Sequence, residues 1–398
     1  MRNLSGDERK LLVIQFFNFL SYSLAGVFVN VFFFANSNLT TTILYNIINM
    51  GFFTFFYALS GWMLRKISSG VLMKLSFLVA ALFYFFLFYL REKSVAFILP
   101  LGIISGFSGG VYWSAYNLNQ YIISHSSRRA EYFGWASAAI NLASALGPVV
   151  GGSLIAAIGG LSLSLNAGYA VLFFLVFLIM IAAVVAIGKL PSHGALQFSY
   201  RHIITHQRSR RWKLVLAQQG LLGFYDVAVG TVTGILLFLV LGGEAPFGLA
   251  LTVAAGLATV ASLISIVFLK RFRSGFWVGA IGAAVAFVLF GLFQNTFGVW
   301  AFIVISGLTG AFFQNALSIE FFGALDAGPG GWQQKYHMML EQAMILSIPR
   351  LISFTVLFFL LQLGNEVAIA RTWLLFLPIF PLAIGFLLHK SVLSAQRE

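Results

Sequence analysis

Long apolar runs alternate with short polar breaks along the whole chain. Twelve such runs lie at about 11–35, 42–64, 71–90, 95–123, 132–157, 165–188, 213–241, 247–269, 276–295, 297–325, 338–363 and 369–389. About 20 apolar residues suffice for a helix to cross ~30 Å of hydrocarbon. The pattern therefore predicts an all-α membrane protein with twelve transmembrane helices. Several runs exceed the minimum, which predicts tilt or extension beyond the bilayer. The first run starts near Leu11 and no small-residue cleavage pattern follows it. It reads as a span, not as a removable leader.

The runs also repeat. Ile104-Ser105-Gly106-Phe107-Ser108-Gly109 returns 201 residues later as Ile305-Ser306-Gly307-Leu308-Thr309-Gly310, and Pro148 returns as Pro349 at the same offset. Lys10-Leu11…Gln15…Tyr22 matches Lys213-Leu214…Gln218…Tyr225, and Arg65-Lys66-x-x-Ser69-Gly70 matches Lys270-Arg271-x-x-Ser274-Gly275, at offsets of 203 and 205. Four matches in order predict a duplication. The expected division is residues 1–190 as one six-helix bundle, 191–212 as a linker, and 213–398 as a second bundle. Repeats of this kind build secondary transporters, whose sites lie where the repeats meet. The glycines shared by spans 4 and 10 are expected to keep those helices slim where the halves slide.

Composition agrees with the pattern and removes other classes. The chain is 60% hydrophobic and 9% charged, against roughly 25% charged in soluble domains. It has no cysteine, which excludes disulfides, iron–sulfur clusters and thiolate metal sites. A net charge of +13 raises the question of nucleic acid, but the placement of the bases answers to membrane topology. Of 24 Lys and Arg, 20 fall in segments that are cytoplasmic if the N-terminus is inside. Three (Arg91, Lys93 and Arg371) fall outside, and Arg350 lies within a span. The asymmetry predicts both termini cytoplasmic in an inner (plasma) membrane, with no nucleic-acid partner. From Lys189 to Lys213 there are six Lys/Arg, three His and no acid, a basic linker suited to the anionic inner leaflet.

Gly147-Pro148-Val149-Val150-Gly151-Gly152 in span 5 resembles the antiporter motif of the major facilitator superfamily. Gly61-Trp62-Met63-Leu64-Arg65-Lys66-Ile67-Ser68-Ser69-Gly70 resembles its span 2–3 loop more loosely: Arg65 stands in place of the usual acid and Ser68 in place of the second glycine. The resemblance covers nearly the full chain and points to a bacterial, drug/antiporter-like branch. It implies alternating access between two six-helix bundles, with spans 1, 4, 7 and 10 around a central cavity. It gives Gly147, Pro148, Gly151, Gly152, Arg65 and Lys66 gating or packing roles. The alternative for the Gly-Pro motif is plain helix packing.

Two ionisable residues fall at mid-membrane, where insertion costs at least ~2.5–3.5 kcal/mol. Asp226 in span 7 and Arg350 in span 11 both lie about 18–20 Å from the cytoplasmic start of their spans at 1.5 Å per residue. Equal depth predicts an ion pair, either a coupling device that titrates during the cycle or a permanent brace. Glu320 and Glu341, near the cytoplasmic ends of spans 10 and 11, are expected at a hydrated rim or in gate contacts with nearby bases. Tyr112, Trp113, Tyr116 and Asn117 in span 4 give the richest polar-aromatic face. With the resemblance, Asn18, Tyr22 and Asn30 in span 1, Gln218, Gln219 and Tyr225 in span 7, and Gln314 and Asn315 in span 10 join them as candidate cavity residues. Amides beside rings suit a solute that is partly apolar or carries hydroxyls. Interhelical hydrogen bonding is the alternative for each amide, and the favoured one for Asn46, Asn49 and Asn141.

All six histidines fall in predicted cytoplasmic segments without an accompanying acid or cysteine cluster, so no metal site is expected. No Gly-Lys-Ser/Thr phosphate loop is present, and no nucleophile constellation can be assembled. The expected protein is a monomeric, cofactor-free secondary active transporter, not an enzyme. It would move a small amphiphilic, aromatic or hydroxylated solute, with proton-coupled export as the leading mode and small-molecule substrate, protons and membrane lipids as partners. A sugar or metabolite importer and a lipid or glycolipid flippase are the rival carriers. A non-transporting sensor or a membrane enzyme would be the rival class.

Overall fold

The computed structural model describes residues 4–123, 129–162, 164–188, 195–272 and 274–395. Arg2, Arg128, Lys189, Arg273 and Arg397 of the charge count, and His125 and His193, lie outside the described residues. Among the described residues there is no strand. The long helices are α1 (Gly6–Ala35), α2 (Leu39–Met63), α3 (Ser69–Leu90), α4 (Ile98–Ile123), α5 (Arg129–Ser162) and α6 (Leu165–Ile187). After a short helix, Tyr200–Thr205, come α7 (Arg210–Leu241), α8 (Glu244–Arg271), α9 (Phe276–Leu292), α10 (Thr296–Ala327) and α11 (Trp332–Leu361), then α12 as Glu366–Phe376 continued by Ile379–Ala395.

Among the described residues, ten helical runs are long and apolar enough to cross a membrane. One of them, Ser69–Ile123, holds both α3 and α4, joined by a 3₁₀ stretch over Arg91–Phe97. The break expected between spans 3 and 4 falls at Arg91, whose φ of 50° ends α3, and the 3₁₀ stretch then leads into α4. α9 is the shorter apolar helix, with 17 residues. The protein is an integral membrane protein.

The helix starts follow local chemistry. Ser5 and Glu8 form a reciprocal capping box on α1. Asn38, Ser68, Asn295 and Asn365 accept backbone N–H groups at the starts of α2, α3, α10 and α12, filling donors that a helix cannot satisfy itself. At the far end of α9, Arg371 donates to the carbonyls of Gly291 and Leu292 at 2.7 Å each. A cation there complements the negative end of the helix dipole.

The residues form two compact units, Met1–Ile204 with Gly331–Leu340, and Thr205–Gly330 with Glu341–Glu398. The repeated hexapeptide has a corresponding place in each. In the first unit, a Cβ on Gly106 would stand 2.6 Å from the Asn49 carbonyl oxygen of α2, and Ser108 donates to the Ser76 carbonyl of α3 at 3.0 Å. In the second, a Cβ on Gly307 would stand 2.9 Å from Leu257 Cβ of α8, and Thr309 fills the space beside Gly282 of α9. Gly106 and Gly307 therefore serve contacts inside their own bundles, α4 on α2 and α10 on α8, while nothing lies within 4 Å of a Cβ added to Gly310. At Gly106 and Gly307 the close approach is to a neighbouring helix of the same unit.

Candidate functional site

The two charged mid-span residues meet in the second unit, on a seam of α7 and α11. Gln342 Nε2 donates to Gln219 Oε1 at 2.7 Å. One turn further, Gly223 presses on α11: an added Cβ would overlap the Leu346 carbonyl oxygen and stand 3.1 Å from Pro349 Cβ. One turn further again, Arg350 Nη2 donates to Asp226 Oδ2. Ser353 Oγ closes the seam on the Phe224 carbonyl at 3.4 Å. Both helices advance together along these rungs, so they run parallel. The Arg350 side chain is 19% exposed and that of Asp226 46%. Arg350 Nε is buried without a hydrogen-bond partner. The pair is lopsided: the carboxylate is open to solvent-sized space while the guanidinium is held by the protein.

Two features of this seam recur in the first unit. Pro148 and Pro349 both lie inside their helices, α5 and α11. Each removes a backbone donor, to Ser144 and Ile345 respectively, and so weakens its helix locally. A π-helical turn interrupts α1 at Tyr22–Gly26 and α7 at Ala228–Thr233. Such turns are frequent at functional sites, and nothing in the composition of these segments announced them. The α1–α5 seam is closed by small residues. A Cβ on Gly147 would overlap Ser23 Cβ and stand 2.6 Å from the Ser23 carbonyl carbon, and one on Gly151 would overlap the Leu24 carbonyl oxygen. Gly152 is buried as well.

The candidate cavity residues divide into groups. Tyr112 and Tyr116 are buried and stack with centroids 5.5 Å apart. Trp113 stands edge-on to both and to Phe19 of α1 at 6.1 Å. Asn117 donates to the Tyr57 hydroxyl at 3.1 Å, and Asn30 accepts from Asn46 at 2.9 Å. Asn18 is half-buried and Tyr22 exposed, its ring folded over Gly26. In the second unit Gln218 is buried and donates to Ser391 at 3.3 Å, and Asn315 donates to Ser265 at 2.6 Å. Tyr225 packs between Phe287 and Phe313, and Gln314 is exposed. Asn30, Asn117, Gln218, Gln219 and Asn315 thus all have partners within their own unit. Asn49 donates to Ser105 at 2.6 Å, in the bracing role expected of it.

Glu320 and Glu341 are not at a hydrated rim. Glu341 is 5% exposed. It accepts from Arg208 and, at 2.8 Å, from Trp212 Nε1, with His206 Nε2 at 3.3 Å. Glu320 accepts two bonds from Arg211, at 2.9 and 3.0 Å. The forked geometry matches a carboxylate to a guanidinium. Of the two readings of these carboxylates, contact with nearby bases is the one seen, and the sequence alone left open which bases they meet. Arg65 and Lys66 are exposed at the end of α2. Nearby, Tyr200 donates to the Ala58 carbonyl at 2.9 Å. Burial raises the Tyr200 hydroxyl above its ordinary value.

Residues 11–326 match the family model described as Major Facilitator Superfamily. The chain belongs to that superfamily. It is 28% identical over 178 residues to the uncharacterised protein YqgE of Bacillus subtilis (strain 168), a match covering 44% of this chain and 40% of that protein. The chain thus spans about two fifths of that relative's length. It is 24% identical over 166 residues to the uncharacterised protein in the sodM 3′ region of Geobacillus stearothermophilus, covering 40% and 78%. Among solved structures it is similar to the nucleoside transporter NupG (13% identity, TM-score 0.67, 98% and 99% covered). It is also similar to a bacterial homologue of the iron transporter ferroportin in an inward-facing state (13%, 0.68, 96% and 98%). The Escherichia coli fucose:proton symporter FucP is a third (15%, 0.65, 96% and 98%). At these identities the likeness is one of fold: a superfamily architecture that serves chemically unlike solutes.

Proposed function

We propose that this superfamily member is a secondary active transporter that works by alternating access, with twelve crossings and both termini in the cytoplasm of the inner membrane. Residues 1–190 and 213–398 are its two moving bundles and 191–212 the connection. It carries a small amphiphilic, aromatic or hydroxylated solute, and proton-coupled export is its leading mode. The observation that carries the reading is the Asp226–Arg350 pair, with its carboxylate about half exposed and its guanidinium largely enclosed. A proton arriving at Asp226 removes the charge that Arg350 answers to. The freed guanidinium, still enclosed, then needs another anion or acceptor. That need links proton occupancy to the position of α11 against α7. A permanent brace would have no use for the open side of the carboxylate. In the first unit Trp113 and the exposed Tyr22 supply aromatic surface for the solute.

The test is flux in proteoliposomes of uridine, fucose and the aromatic cation ethidium, with and without an imposed pH gradient. In Asp226→Asn, gradient-driven accumulation falls at least ten-fold while solute exchange without a gradient persists. Gradient-driven transport at the parent rate by that variant would sink the coupling role. Flux that ignores the gradient in the parent protein removes the proton.

A further inference from the structure

The basic linker contains a short stretch that is not basic. Leu196-Gln197-Phe198-Ser199-Tyr200 alternates apolar and polar residues, the pattern of an extended segment with two different faces. In the structure residues 196–199 are neither helix nor strand, Tyr200 opens the short helix, and the segment lies along the cytoplasmic end of α2. The Leu196 N–H donates to the carbonyl of Leu64 at 3.4 Å. The Phe198 ring covers Gly61, where a Cβ would stand 2.6 Å from the ring carbons Cε2 and Cζ. Tyr200 reaches the Ala58 carbonyl at 2.9 Å. Residues 196, 198 and 200 thus descend α2 from 64 to 61 to 58.

The intervening residues fasten a second element. The Gln197 N–H donates to Gln333 Oε1 at 3.1 Å and the Ser199 N–H to His337 Nε2 at 3.2 Å, both on the first turns of α11. The His337 ring is stacked on Phe198 with centroids 5.3 Å apart. Its Nδ1 lies 2.7 Å from the Gln333 carbonyl, which can only accept. Nδ1 therefore carries the proton and Nε2 offers the lone pair that Ser199 uses. Tyr336, beside it, shares a 2.7 Å hydrogen bond with Ser114 of α4. All of these residues belong to the first unit.

We propose that residues 195–200 are a detachable strap that fastens the first turns of α11 to the cytoplasmic end of α2, and that its release is a step of the transport cycle. A helix or sheet is held by a ladder of backbone bonds. The bonds described for this segment run to two side chains of α11 and two carbonyls of α2, with the Phe198 ring seated over Gly61. It can leave without breaking any helix, and segments so held open at the lowest free energies in a fold. Gly61 belongs to the loop that resembles the superfamily's span 2–3 motif, and its lack of a side chain is what gives Phe198 a seat. The transport reading enters only in what release accomplishes.

Two measurements on the full chain in lipid nanodiscs and proteoliposomes decide it. In the first, amide hydrogen exchange is followed in the parent, in Gly61→Val, which expels the ring, and in Phe198→Ala, which removes it without a clash. Exchange over residues 195–204 and at the start of α11 rises at least ten-fold in both variants, while α4 and α5 keep their protection. Unchanged exchange in Phe198→Ala overturns the strap. In the second, Gln197→Cys/Gln333→Cys is bridged with a short bifunctional maleimide; the parent chain has no cysteine to compete. Bridging lowers flux of the three solutes named above at least ten-fold relative to the unbridged pair. Equal flux after complete bridging overturns the role in the cycle. Should the parent protein move none of the three, the transport reading falls, and the exchange measurement alone decides the strap.

Discussion

The α1–α5 seam of the first unit and the α7–α11 seam of the second share an ancestor and differ in substance. Both pair two parallel helices, both have a proline inside the second helix, and both have a π-turn in the first. In the first unit the close contact is made by glycines on the second helix, Gly147 and Gly151, against the backbone of Ser23 and Leu24. In the second the glycine has changed sides: Gly223 of the first helix receives Leu346 and Pro349 of the second. The positions that answer to Asp226 and Arg350 at the repeat offsets are Ser23 and Val149. One seam is therefore a packing joint and the other a packing joint with a charge pair one turn above it. Duplication kept the frame, and divergence placed ionisable chemistry on one side only.

The largest expected effect comes from filling the joints. Gly147→Ala puts a methyl group into the backbone of Ser23, and neither helix has a flexible side chain there to yield. A loss on the order of 3 kcal/mol is expected, as for overpacked cores, read as a lowered unfolding midpoint of the purified protein. Gly160→Ala in the same helix is the control: nothing lies within 4 Å of its added Cβ, so that change leaves stability level or slightly raised. Gly223→Ala is expected to match Gly147→Ala in stability loss and, in addition, to lose gradient-driven flux, because it separates the helices one turn below Asp226. If Gly147→Ala were to abolish coupling as selectively as Gly223→Ala, the distinction between the two seams would not stand.

A smaller effect sharpens the comparison. The double change Asp226→Ser/Arg350→Val rebuilds the second seam with the residues of the first. Either change alone leaves an ionised group without its partner, and about 2 kcal/mol is expected to be lost, below the range for fully buried pairs because Asp226 is about half exposed. The double variant is expected to recover about half of what the two single changes lose together, while gradient-driven flux stays lost. A full recovery of coupled flux in the double variant would make the pair dispensable.

How much of this could be read from residues alone depended on the range of the interaction. The repeat, the apolar runs and the charge asymmetry are properties of whole segments, and the helices follow them. The Asp226–Arg350 contact was legible because depth is a one-dimensional quantity: two charges at equal height on helices expected to be neighbours leave few other partners. The bonds of the amides were not. Asn117 could have lined a cavity or held Tyr57, and only rotation about the α4 axis separates those outcomes. Burial of Glu320 and Glu341 was misjudged because their partners, Arg211 and Arg208, come from the linker, which has no periodicity to orient it. The strap escaped notice for the opposite reason. Its alternation is plain in Leu196, Phe198 and Tyr200, but it sits inside a basic stretch whose charge drew the reading to the lipid surface.

The smallest effect expected is at the top of the charged seam. Ser353 Oγ donates to the Phe224 carbonyl at 3.4 Å, near the long limit for a hydroxyl donor. Gly152 occupies the corresponding place in the first unit, so that seam closes with no side chain there at all. If both seams are packing joints first, Ser353→Ala should lower stability by only about 0.5 kcal/mol and leave gradient-driven flux within two-fold of the parent. A larger loss of flux than of stability would place Ser353 with Asp226 and Arg350 as part of the coupling apparatus. The charged region of the seam would then extend a full turn beyond the pair, and the difference between the two units would be one of a whole helix face rather than of two residues.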